Sequence, residues 1–241
     1  MNLNIKLLIG TIYFICFSTL MFIIFSNFDF KDFTDVNFFK NNQQLLNDFK
    51  LENTLFLLVL FSIFSIIWIL LLGFGTPLVL FAGFVFGKWT GTLVSVVSFS
   101  IGGTLLYCLA NLFFKDFIKN KFSKKIEKFI YLFNKNEFLY FMLFRLTGGG
   151  MPFSVQNILP VIFNMKVKNY FFSTLLGITP GVFILTSIGA GLGNYVDKNN
   201  SIIWSELFKE PEIYFPIIIF IVLIVITAVI NKFFFSNRFS K

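Results

Sequence analysis

The chain has 241 residues, 56% of them hydrophobic and only 13% charged, with Phe alone occurring 39 times. Soluble domains carry about 25% charged residues, so this composition excludes an ordinary soluble globule. The net charge is +8 and there is no histidine, which removes His-based acid–base catalysis and His-liganded zinc from consideration.

In chain order, apolar blocks near the ~20-residue length needed to span a bilayer run over Leu3–Phe25, Thr54–Leu72, Gly91–Phe114, Tyr170–Gly191 and Ile213–Ile230. The first has Lys6 in front and no small-x-small cleavage site behind it, which favours an uncleaved anchor over a signal peptide. Cys16 and Cys108 lie inside apolar blocks and form no metal pattern. The acids are absent between Asn53 and Lys115 and between Phe138 and Val196. No metal site, no cofactor and no catalytic residue is expected, and no nucleophile–base pair suggests an enzyme. "TGGGMP" lacks the Gly-Lys-Ser/Thr ending of a phosphate loop, so neither nucleotide nor nucleic acid is an expected partner.

Basic residues in short loops mark the cytoplasmic side. Lys115–Glu137 holds seven Lys against three acids, and Lys166, Lys168 and the tail with Lys232, Arg238 and Lys241 are also basic. Asn27–Glu52 has three Lys against five acids, and Leu192–Glu212 two against four. Five full crossings cannot satisfy this pattern. It is satisfied if Thr54–Lys88 is a re-entrant hairpin from the outer side, turning at Gly73–Pro77, and Phe138–Phe163 is a second one from the cytoplasm, turning at "TGGGMP". Both termini are then cytoplasmic.

A shift of 75 residues places Gly75-Thr76-Pro77 on Gly150-Met151-Pro152 and Gly102 on Gly177. Each unit is a hairpin with a Gly-x-Pro turn followed by a span with a mid-helix glycine. An odd number of crossings separates them, so they form an inverted repeat, a known transporter plan. The expected fold is an all-α polytopic membrane protein: two inverted re-entrant hairpins, each followed by a transmembrane helix, plus N- and C-terminal transmembrane helices. The segments are 1–26 (anchor), 27–53 (outer polar connection), 54–193 (core domain), 194–212 (outer loop) and 213–241 (last helix and basic tail). The hairpins are expected to meet near mid-membrane, each shielding the other's turn, with Ser98, Gly102, Thr174, Gly177, Pro180 and Gly181 packing the helices.

Arg145 is the one charge placed deep in the membrane, at a cost of at least about 2.5–3.5 kcal/mol on insertion scales. No carboxylate is near it in sequence. Its partners are either structural, namely open carbonyls at the Gly148–Pro152 break with Gln156 and Asn157, or an anionic ligand such as a lipid phosphate, which a guanidinium grips with a planar fork. Gln156 and Asn157 either pair with carbonyls freed by Pro152 or line a polar path. The turn residues Gly73, Gly75 and Pro77, and Gly148, Gly149, Gly150, Pro152 and Phe153, complete the candidate set. In Lys115–Lys135, apolar Ile118, Phe122, Ile126, Phe129, Ile130 and Phe133 recur at helical spacing among lysines, as in a helix lying against anionic inner-leaflet lipids.

"FRLTGGGMPFSVQN", "FFSTLLGITPG" and "IGAGLG" resemble the second half of the DedA-like membrane proteins, also called VTT-domain or SNARE-associated Golgi-type proteins, and "PLVLFAGFVFGKWTGTLVSVVSFSIGG" resembles the first half. The resemblance covers about Gly73–Gly193 and is nearest to the vacuolar and Golgi-type branch with many bacterial members. Arg145, Pro152, Phe153, Asn157, Thr174, Gly177, Pro180 and Gly181 fit its pattern. It implies opposed re-entrant hairpins and movement of phospholipids or carrier-lipid phosphates between leaflets. Two departures stand out: Gly148–Gly150 replace a proline, and the first hairpin has no acid, which puts proton coupling in doubt. The other readings are an ion- or proton-coupled solute transporter and a membrane organiser. A bias to Asn, Lys, Ile and Phe fits a bacterial cytoplasmic membrane protein.

Overall fold

The computed structural model describes the backbone of residues 36–147, 151–198 and 208–231, with positions 8, 10–15, 18, 19, 22 and 26 before them; within these, side chains are described at 8–26 where given, 53–113, 130, 131, 133–147, 151–195, 208–222, 225 and 226. Among the described residues there is helix and no strand: α1 Val36–Leu70, α2 Gly75–Lys135, α3 Glu137–Leu146, α4 Phe153–Ile158, a 3-10 segment Leu159–Phe163, α5 Val167–Lys198 and α6 Pro211–Asn231. Three stretches are long and apolar enough to cross a membrane: Asn53–Leu70, Gly75–Phe113 and Val167–Tyr195. α6 adds 21 helical residues, about 32 Å at 1.5 Å per residue.

Two of these helices are interrupted, and the interruptions set the architecture. α1 is broken at Asn53 (φ −134°, ψ 34°), where the acidic connection gives way to apolar sequence. α2 is broken at Gly87 (φ 76°, ψ 173°), a conformation open to glycine and poor for other residues. The first unit therefore runs as an arm to Leu70, a bend, a short arm from Gly75 to Gly87, and a long helix. The second repeats this: α3, a bend, a short arm from Phe153 to Phe163, and α5. Its short arm also ends at positive φ, at Asn164 (φ 50°). The helix–bend–helix elements expected over Thr54–Lys88 and Phe138–Phe163 are both present.

The mid-helix glycines tie each long helix to its own arm. A Cβ on Gly102 would lie 2.9 Å from the Ile66 carbonyl oxygen and 3.1 Å from Ile69 Cβ; one on Gly177 would lie 2.8 Å from the Met142 carbonyl oxygen and 2.5 Å from Arg145 Cβ. The short arms, by contrast, pack on the other unit. A Cβ on Gly83 would meet the Thr186 carbonyl at 2.1 Å, and one on Gly189 the Leu80 carbonyl at 2.1 Å, so the first short arm touches α5 backbone to backbone. Thr186 Oγ1 donates to the Lys88 carbonyl (3.2 Å), and reciprocally Tyr107 Oη on α2 donates to the Met165 carbonyl (2.5 Å). Each long helix thus places a hydroxyl on the backbone where the other unit's short arm ends; the Lys88 carbonyl accepts from Thr92 Oγ1 of α2 as well. The two units are interlocked rather than stacked.

Several expectations are corrected. The bends do not shield each other: Leu72, Phe74 (70% exposed), Thr76 and Pro77 at the first, and Met151 (44%) and Pro152 at the second, face outward. Side chains satisfy their backbone instead. Trp68 Nε1 donates to the Phe74 carbonyl, Tyr13 Oη to that of Leu70, and Gln156 Nε2 to that of Met151. Gly181 does not pack, since a Cβ there would meet nothing within 4 Å. Ser98 and Thr174 are buried as expected. α2 stays helical through Lys135, yet Phe133 stacks on Phe163 at 4.2 Å and packs against the cluster around Tyr107 and Met165. A straight helix would hold Tyr107 and Phe133 about 39 Å apart, so the lysine-rich end bends back over the mouth of the second hairpin.

Candidate functional site

Arg145 sits in the last turn of α3, 4% exposed, pinned from behind by Gly177. Its guanidinium meets three oxygens. Nη1 donates to Gln156 Oε1 (3.4 Å), and Nη2 to Asn157 Oδ1 (2.5 Å) and Tyr170 Oη (2.8 Å). Tyr170 in turn donates to Asn157 Oδ1 at 2.9 Å. Three rings flank the cation, with Cζ 4.8 Å from the Phe141 centroid, 4.8 Å from Phe153 and 5.6 Å from Tyr170. A desolvated cation–π contact is worth about 2 kcal/mol, so three of them together are on the scale of the insertion cost of the charge.

The scaffold follows from local sequence. Pro152 supplies the fixed φ at the N-cap of α4, and the first turn of α4 then presents Phe153, Gln156 and Asn157 toward α3. On α5, Tyr170, Thr174 and Gly177 recur at four and three residues and share a face. Gly103 on α2 closes the back: a Cβ there would lie 3.0 Å from Asn157 Oδ1 and 3.2 Å from Tyr170 Oη. Behind Tyr170, the Tyr107 ring stacks at 4.6 Å and 9°.

The structure brings together Arg145, Phe153, Gln156 and Asn157, with Pro152 at the rim. Gly148, Gly149 and Gly150 lie outside the described residues. Gly73 and Gly75 pack against Trp68 and Phe99, and Pro77 is exposed in the first turn of α2; this bend is separate from the Arg145 cluster. Pro180 lies inside α5, half-buried. Both amides accept from Arg145 as expected, and Gln156 Nε2 also donates to the Met151 carbonyl. Among the described residues no backbone carbonyl accepts from Arg145; the Gly148–Gly150 carbonyls lie outside them.

Sequence reasoning missed Tyr170, Phe141 and Glu137. The face shared by Tyr170, Thr174 and Gly177 was a readable signal for the first. Glu137 is not in a solvated connection but buried at the start of α3, where its carboxylate accepts from Asn169 Nδ2 (2.6 Å) and the Lys166 N–H (3.3 Å). It clasps the two ends of the second hairpin together. Among the described residues, no group of His, Cys, Asp and Glu could hold a metal ion, and no carboxylate reaches Arg145.

With this geometry in view, comparison with known proteins is specific. Residues 73–191 match the VTT domain. This stretch, just under half of the 241-residue chain, is similar to a VTT domain. The match begins within the first bend and takes in the second bend and all of the Arg145 cluster. The "Uncharacterized protein YqeD" of Bacillus subtilis is 30% identical over 110 residues, 45% of this chain and 52% of that protein. The "Transmembrane protein 41 homolog" of Caenorhabditis elegans is 23% identical over 146 residues, 58% of each chain. The aligned part is thus a little over half the length of each relative. No solved structure matches significantly. The VTT match and the long apolar helices make this a membrane protein.

Proposed function

We propose that this protein moves phosphate-bearing lipids between leaflets, as a scramblase or flippase, with Arg145 as the contact for the phosphate. The carrying observation is a buried guanidinium that no carboxylate reaches among the described residues, at a helix bend where Met151 and Pro152 are exposed. Such a break is tolerated at membrane depth only beside protein or a watery cavity, and a head group needs polar footing of that kind on its way through hydrocarbon.

In this reading the two interlocked units are inverted and their bends re-enter the membrane from opposite sides. Lys88 lies outside, Lys166 and Lys168 lie on the cytoplasmic side, and both termini are cytoplasmic in a bacterial inner membrane. The lysine-rich stretch Lys115–Lys135 contacts anionic inner-leaflet lipids. The VTT core extends over 54–193, between an N-terminal anchor and a C-terminal helix.

The test is reconstitution of the purified protein in liposomes carrying a labelled phospholipid in one leaflet. Lipid movement that rises with protein density and collapses in Arg145→Ala, at matched folded protein, is the expected result. Wild-type vesicles that keep the label in one leaflet would sink the reading.

A further inference from the structure

The open end of the second hairpin, away from its bend, is held together by two contacts. Phe133, near the end of α2, stacks on Phe163 at the end of the short arm at 4.2 Å. Glu137, which opens α3, accepts from the Lys166 N–H (3.3 Å) and from Asn169 Nδ2 (2.6 Å) at the start of α5. Lys135 lies between Phe133 and Glu137 in the chain, and Lys166 and Lys168 flank the first residue of α5. The contacts therefore gather three lysines on one rim. Their side chains are all exposed, and among the described residues none has an ion pair. Glu137 is the only acid between Glu127 and Asp197. It is buried, with its oxygens on neutral donors. The rim thus turns three ammoniums outward and keeps its one carboxylate inside.

Apolar groups are set among these charges. Val167 stands exposed between Lys166 and Lys168, Tyr131 is exposed one turn before Lys135 on the same face of α2, and Leu139 is exposed two residues after Glu137. Positive charge beside exposed apolar side chains suits a molecule with an anionic head and a hydrocarbon tail. A free anion in water gains nothing from the apolar part. Tyr at this level is also typical of the lipid head-group region. The far end of α5 has another character: Lys209 is followed by Glu210 and Glu212, and Asn194 donates to Glu212. Only the rim has uncompensated charge. Glu137 and Arg145 occupy the first and last turns of α3, about 12 Å apart along the axis at 1.5 Å per residue.

We propose that Lys135, Lys166 and Lys168 form a docking rim for the head group of an anionic phospholipid at the entrance to the second hairpin. The proposal rests on the lipid reading and adds its substrate class. A lipid of net negative charge is gathered at the rim and passes inward toward Arg145. A zwitterionic lipid, whose own cation the lysines repel, is gathered less.

The experiment uses the full chain and reads binding first. In detergent, melting temperature is followed during titration with dihexanoyl phosphatidylglycerol, dihexanoyl phosphatidylcholine and inorganic phosphate. A lysine near the membrane surface favours anionic lipid about fivefold, so wild type should respond to the phosphatidylglycerol at a concentration at least about tenfold below that of the phosphatidylcholine. The preference should shrink at high salt, and inorganic phosphate should give no shift. The triple variant Lys135→Gln, Lys166→Gln, Lys168→Gln changes only exposed, unpaired side chains. It should melt as wild type does without lipid and respond alike to both lipids. The corresponding triple Arg variant keeps the charge and should keep the preference, as should Lys209→Gln. Equal response of wild type to the two lipids, an undiminished preference in the glutamine triple, or an equal response to inorganic phosphate would overturn the rim. Movement of the two head groups, each on a tail-labelled lipid in vesicles, separates this from the transport reading. Faster movement of phosphatidylglycerol in wild type, levelled in the glutamine triple, supports both. A binding preference without movement of either lipid leaves the rim standing and sinks the transport reading. Movement of both at equal rates overturns the rim as a selector and leaves transport intact.

Discussion

Ile69 and Arg145 hold the same place in the two units: each lies at the end of the arm beneath the mid-helix glycine of its own long helix, Ile69 under Gly102 and Arg145 under Gly177. One is 1% and the other 4% exposed. The same backbone arrangement therefore houses an apolar side chain in one unit and a cation in the other. Around Ile69 the neighbours are Val79, Val96, Phe99 and Val182; around Arg145 they are two amides and a phenol. The functional asymmetry lies in side chains, not in the fold.

Alanine at these glycines should separate stability from function. Either substitution forces a Cβ against a carbonyl oxygen and should cost about 1–3 kcal/mol, seen as a lower melting temperature of the purified protein. Gly177→Ala also pushes on Arg145 and should lower lipid movement per folded molecule. Gly102→Ala should leave movement per folded molecule near wild type.

The Arg145 series distinguishes charge from geometry. Arg145→Lys supplies a point charge without the planar fork and should keep a fraction of lipid movement. Arg145→Gln and Arg145→Ala should lose most of it, and Ala should destabilise by about 3 kcal/mol by removing the donors to Asn157 Oδ1, Gln156 Oε1 and Tyr170 Oη and the bulk between the flanking rings. Full movement in the Ala variant at normal folded yield would take Arg145 out of the mechanism.

The interlock predicts independent effects at opposite ends of the molecule. Tyr107→Phe strands the Met165 carbonyl, whereas Thr186→Val leaves that of Lys88 with Thr92 Oγ1. The first should cost about 1–3 kcal/mol and the second about 0.5–1.5 kcal/mol, and because the sites share no partner, the double variant should be additive within about 0.5 kcal/mol. Denaturant melts in detergent would measure this.

At the first bend, Leu72 stands at φ 63° in the position where a helix of this ending commonly has glycine, with the Gly73 N–H bonded to the Trp68 carbonyl and the Leu72 N–H to that of Ile69. A leucine there costs roughly 1–2 kcal/mol. Leu72→Gly should raise the melting temperature, and Trp68→Phe, which removes the donor to the Phe74 carbonyl, should lower it. A drop for Leu72→Gly would mean that the exposed leucine side chain is itself a lipid anchor.

The topology has a direct measurement. In a background without Cys16 and Cys108, a cysteine at the exposed Lys88 should react with an impermeant reagent from outside intact cells. One at the exposed Lys168 should react only after permeabilisation. The reverse order would invert the proposed orientation.

The sequence by itself determined the membrane class, through long apolar blocks that water cannot solvate, and the positions of both bends, because Gly and Pro clustered within a few residues break helix where isolated ones such as Gly102 and Pro180 do not. It also determined that Arg145 has no carboxylate nearby along the chain and that Gly102 and Gly177 repeat, since these are matters of order and spacing. Tertiary structure alone decided that the short arms cross to the opposite unit, that Gln156 donates to the Met151 carbonyl, and that Tyr170, 25 residues on, completes the cluster. It also decided that Glu137 is buried. The physical reason is that a composition shared by every apolar helix says little about which face meets which. Those choices are made by close backbone approach at a few glycines and by donors finding acceptors across distances that sequence spacing does not encode.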